Sequence, residues 1–172
     1  MEWFRKDRLK IEDAASDLSK MVLRSIEPSN LESLKQWGVN PNNAKHRSEI
    51  VILSLFSLRS AVFITQHSST FNQDMGDILL LYVEQFLKIS YVDVLSFGAI
   101  EQFEIFLQTR YEEYDSLDSP GKETPSIGLR FGKNIGIDDA ALVHWAEMSF
   151  RKIRLMYVDF LKMMNDKYEL IC

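Results

Sequence analysis

Residues 44–66 read AKHRSEIVILSLFSLRSAVFITQ. Within them Ile50, Val51, Ile52, Leu53, Leu55, Phe56, Leu58, Val62 and Phe63 fall on every side of a helical wheel. A helix that is apolar all round is buried on most of its faces. The segment is therefore expected to be the central helix, from about Ala44 to Gln66, of an all-α domain. Asn40, Pro41, Asn42 and Asn43 form a turn before it, and His67, Ser68, Ser69 and Thr70 break the chain after it.

On the N-terminal side, Ile11, Ala14, Ala15, Leu18, Met21, Val22 and Ile26 repeat with a helical period until Pro28. Ser29 and Glu32 have the spacing of a capping box, which predicts a short second helix ended by Gly38. On the C-terminal side, 74–117 lacks proline and is too long for one average helix. A turn near Lys88–Ser90, where Ser90 and Asp93 make a second capping-box pattern, competes with one at Ser96–Gly98. The last helix is expected over 138–167, with Leu142, Trp145, Ala146, Ser149, Ile153, Met156, Tyr157, Phe160 and Met164 inward. Segment 115–137 holds four of the seven glycines and two of the four prolines and reads as one long irregular loop. The expected architecture is a single-domain helical bundle over 1–172, with five to seven helices and that Gly/Pro-containing loop before the last of them.

The composition is that of a globular chain: 46% apolar and 26% charged over 172 residues. Its only cysteine, Cys172, excludes an intramolecular disulfide and has no histidine near it in sequence to activate a thiolate. No apolar signal segment begins among the charged first ten residues. The apolar run Ile50–Ile64 is interrupted by Ser54, Ser57, Arg59 and Ser60 and is shorter than the roughly 20 residues of a membrane span. A cytoplasmic protein without a membrane partner is expected. The net charge of -5 is concentrated in 61–120, where Lys88 and Arg110 stand against ten acids. Such a middle argues against nucleic acid as a ligand, because phosphate affinity comes from clustered Lys and Arg. Two small basic clusters, Arg5 to Lys10 and Arg151 to Arg154, read as solvated helix faces.

Four constellations bear on chemistry. His46 and His67 sit at opposite ends of one expected helix, about 30 Å apart, so with His144 they cannot share a metal. In 128–136, Arg130, Phe131 and Lys133 lie among three glycines ahead of a helix. The spacing fails the P-loop pattern, and what remains is a mobile loop whose two cations and exposed Phe131 suit an anionic ligand or a partner. Seven methionines, four of them at 148, 156, 163 and 164, read as core filler or a pliable contact surface. Asp74 and Asp77, with Glu101 and Glu104, form two i,i+3 carboxylate pairs. If the chain turns near Ser90 they lie level on antiparallel helices and can hold magnesium; a turn at Gly98 separates them. This layout is similar to that of the all-α nucleotide pyrophosphohydrolases, although that family has glutamate in the first pair. The resemblance implies a magnesium-dependent hydrolase.

The expected function is that of a non-enzymatic helical protein acting through protein–protein interaction or self-association, most simply as a homodimer. No cofactor, catalytic residue or metal ligand is assigned. The alternatives are the hydrolase just named and a small-molecule binder with an apolar pocket inside the bundle, which the 12% aromatic content permits.

Overall fold

A computed structural model describes residues 6–68, 73–91, 100–117 and 126–172. In chain order its elements are β1 (Asp7–Lys10), α1 (Ile11–Leu23), α2 (Pro28–Glu32), α3 (Ala44–Ser68), α4 (Gln73–Tyr91), α5 (Ile100–Asp115), α6 (Ser126–Ile135), α7 (Ala140–Lys167) and β2 (Tyr168–Ile171). Single 3-10 turns follow α1 (Arg24–Ile26) and α2 (Lys35–Trp37). The protein is an all-α helical bundle with one two-stranded ribbon.

α3 is the central helix. It packs most extensively on α7 and also touches α1, α4, α5 and α6. Its apolar residues from Ile50 to Val62 are buried, and Ser54 and Ser57 among them are satisfied inside the core. Ser57 and Thr65 donate to the carbonyls of Leu53 and Ala61, at 2.7 and 2.8 Å. Ser54 meets the Tyr157 hydroxyl of α7 at 3.1 Å. By length and composition Ala44–His67 is enough to cross a membrane, which exceeds the sequence expectation, but 78% of its apolar window is covered by this protein's own helices. Asn43 caps its start by accepting from the Lys45 N–H at 2.9 Å. Phe56 forms the aromatic centre of the core, stacked on Phe150 at 5.5 Å and tilted against Tyr114 at 5.2 Å.

Several local expectations are corrected. α2 begins with Pro28 at its first position, and no side chain caps it, so the Ser29–Glu32 capping box does not form. Glu32 instead pairs with Lys35. α4 runs through Ser90 to Tyr91, so the chain does not turn there. The Ser96–Gly98 alternative lies outside the described residues. The supposed loop 115–137 contains the ten-residue helix α6. Its glycines serve packing: a Cβ on Gly128 would collide with the Val143 carbonyl oxygen of α7, and the Gly128 N–H donates to Glu147 at 3.1 Å. Gly136, at φ +79°, ends α6 in the left-handed conformation that glycine adopts without strain. Asp139 then caps α7 by accepting from Ala141 and Leu142 N–H at 2.8 and 3.0 Å. The ribbon was not legible in sequence. β1 and β2 pair in parallel, Asp7 opposite Tyr168 through Lys10 opposite Ile171, and tie the two ends of the described chain together.

Candidate functional site

The carboxylate quartet is not assembled. α4 and α5 are antiparallel, because Lys88 pairs with Glu104 at 2.8 Å and Tyr111 donates to Glu84 at 2.9 Å. Glu104 is therefore level with the C-terminal end of α4. Asp77 lies at the other end, where it accepts from Gln66 of α3 at 3.2 Å. Eleven residues separate Asp77 from Lys88, which is about 16 Å at 1.5 Å per residue. Among the described residues no group of three or more His, Cys, Asp or Glu is arranged to hold a metal ion.

The histidines are likewise apart. His46 is buried, and its Nδ1 accepts from the Asn40 N–H at 3.0 Å. Burial pushes its pKa down, the Lys45 charge adds to this, and a hydrogen bond to the Ile135 backbone opposes both. His67 lies against Phe63 at the end of α3, and His144 is exposed on α7.

Arg130, Phe131 and Lys133 do not form one surface. Phe131, expected to be exposed, is fully buried against Trp145, with ring centroids 6.0 Å apart. Helical geometry explains the correction: α6 turns its Ile127–Phe131–Ile135 row into the core. Arg130 reaches toward Glu113 of α5 at 3.9 Å, whereas Lys133 is exposed.

Between α3, α5 and α6 lies a polar network that sequence reasoning missed. The fully buried Glu49 accepts from Arg110 Nε at 2.7 Å, and Arg110 also pairs with Glu113 at 3.1 Å. Asn134 donates to Glu113 at 3.2 Å. Burial drives the Glu49 carboxyl above the usual carboxylate range, and the Arg110 hydrogen bond counteracts it. The second oxygen of Glu49 is buried with no hydrogen bond among the described residues. Nearby, burial also raises Glu84, opposed by the Tyr111 hydroxyl, while the Arg59 guanidinium lies 4.6 Å above the Tyr111 ring. These groups pair with one another and cross-link four helices, which is an architectural role.

Among the described residues, the features open to a ligand or partner include two that involve α7. One is a cavity between α1, α3 and α7, the counterpart of the apolar pocket expected as an alternative. The other is the outer face of α7. Met148, Leu155, Met156 and Met163 are 50%, 63%, 46% and 43% exposed there. Met156 was expected to face inward; over 28 residues the buried row instead follows Leu142, Ala146, Phe150, Tyr157, Leu161 and Met164. At 100° per residue the four exposed apolar side chains flank a line through Lys152 and Asp159. Neither of those charges has an ion-pair partner among the described residues. The pairs Met148–Met163, Lys152–Asp159 and Leu155–Met156 are all centred on one point of the helix, midway between Leu155 and Met156. No protein-family model matches this chain, and neither a curated protein nor a solved structure matches it.

Proposed function

We propose that this protein is a non-enzymatic assembly module that pairs with a second copy of itself through α7. The observation that carries the reading is the self-complementary seam. A two-fold axis through the point between Leu155 and Met156 sets two α7 helices antiparallel. Lys152 of each copy then meets Asp159 of the other, Met148 meets Met163, and Leu155 meets Met156. A two-fold interface requires such a surface, one patch complementary to itself. Exposed methionine and leucine provide the pliable apolar contact, and the central charges set orientation and register.

Sedimentation equilibrium of the full chain at tens of micromolar tests this. The reading predicts a species of twice 20.0 kDa, and a shift toward monomer in L155E, whose side chain is exposed and leaves the core intact. A monomeric native protein, or an L155E dimer as tight as the native one, contradicts it.

A further inference from the structure

A cavity of about 320 Å³ opens between the end of α1, the middle of α3 and the middle of α7. That is the lower end of the range for small-ligand pockets, about 300–1,000 Å³. Its walls are Met21, Ile50, Leu53, Trp145, Ile153 and Met156, so most of what it encloses is apolar surface. The polar groups fall in two sets, Ser25, Asn30 and Ser33 beside Arg24, and Ser54 with Tyr157. At the inner end, Ser54 and Tyr157 are buried and share one hydrogen bond of 3.1 Å. Two hydroxyl groups carry two hydrogens, and one bond between them uses one; the other is available to an acceptor. Burial pushes the Tyr157 pKa up to about 12, so this hydroxyl stays protonated at neutral pH.

Arg24 lines the opening and is exposed. No carboxylate lies in the cavity wall, and Arg24 has no ion-pair partner among the described residues. In a chain of net charge -5, the cavity mouth is thus locally cationic. An amine would meet the like charge of Arg24 with no compensating acid. A neutral apolar molecule would fill the walls and leave the guanidinium unused. An apolar body ending in one carboxylate satisfies both, with the acid on Arg24 and the body against the walls.

We infer that this cavity is a binding site for a small amphiphilic acid, a compact apolar chain or ring carrying a single carboxylate. The site goes beyond the assembly reading: it lies on the flank of α7 that faces α1 and α3, beside the seam, and shares only Met156 with it.

Isothermal titration of the full-length protein with octanoate, 1-octanol and octylamine tests the assignment. Octanoate is expected to bind saturably at one site, octanol about two- to fivefold more weakly for want of the ion pair with the exposed Arg24, and octylamine not at all. R24Q should bring octanoate to the level of octanol and leave octanol unchanged. I153W, which fills the cavity from the half-buried wall of α7, should abolish both. M21W obstructs it from α1 and decides the point if I153W loses its helical circular dichroism. Absence of saturable octanoate binding, equal binding of octylamine, or indifference to R24Q would each overturn the inference. None of these substitutions touches Lys152, Asp159, Met148, Leu155 or Met163, so the pocket and the assembly reading fail separately.

Discussion

Glu49 and His46 stand three residues apart near the start of α3, and both are enclosed. Neither fate is visible in the sequence, because burial is set by distant partners, Arg110 of α5 for the acid and the Ile135 backbone for the imidazole, which also accepts from the nearby Asn40 N–H. A Glu in the first turns of a helix ordinarily reads as solvated; only the fold reveals a buried ion pair. The two groups titrate with opposite signs. Folding lowers the His46 pKa, so its contribution to stability is full above its ordinary value of 6.5 and is lost as pH falls through the folded value. Folding raises Glu49 and Glu84, so theirs is full below the ordinary carboxylate value and is lost as pH rises through the folded values. The net melting profile mixes these, and a difference against one variant separates them. Native protein is expected to lose more Tm than H46Q between pH 7.5 and pH 5.5, since glutamine keeps an acceptor and a donor but does not titrate. Parallel profiles would show that His46 is not held neutral by folding.

At the scale of elements, legibility followed pattern length. α3, α1 and α7 carry many apolar positions at helical spacing, and most of their cores follow it, but Phe63 of α3 is exposed and α7 buries Phe150, Val158 and Leu161 in place of Met156. α6 was hidden by its glycines, which usually mark turns. Here Gly128 lets the helix lie against the α7 backbone, Gly132 makes room for the Ile137 carbonyl and the Val143 side chain, and the same apolar period runs through Ile127, Phe131 and Ile135. That row was the available signal. The four-residue strands β1 and β2 are too short to show alternation. The antiparallel α4–α5 hairpin was foreseeable, but its level was not, and a shift of about 16 Å separates a metal site from two unrelated acid pairs. The role given to Gly128 is directly testable. G128A places a methyl group into the Val143 carbonyl and should destabilise the fold by about 1–3 kcal/mol as an overpacked contact. Helix propensity alone would make the same change favourable by about 0.5–1 kcal/mol. Urea denaturation distinguishes the two by sign, and a stabilised variant would refute the close packing of α6 on α7.

For the whole molecule, the bundle buries its core around α3 yet leaves one long helix with an apolar, charge-centred outer row. The methionine cluster at 148, 156, 163 and 164 was the sequence signal for it. Only Met164 turns inward, and the other three belong to the seam. Binding through such a row takes its affinity from the apolar flanks, whereas Lys152 and Asp159 fix which way the partner runs. This separates a second copy from any other partner, since only a two-fold pairing makes the two charges meet each other. The decisive measurement is sedimentation equilibrium on K152E, D159K and the K152E/D159K double variant. Each single change sets like charges together twice across the two-fold axis. With exposed pairs worth about 0.2–1 kcal/mol each, the dimer should weaken by about tenfold. The double change restores opposite charges at both contacts and should return native affinity. Singles as tight as the native protein, or a double variant as weak as the singles, would contradict antiparallel self-assembly through α7.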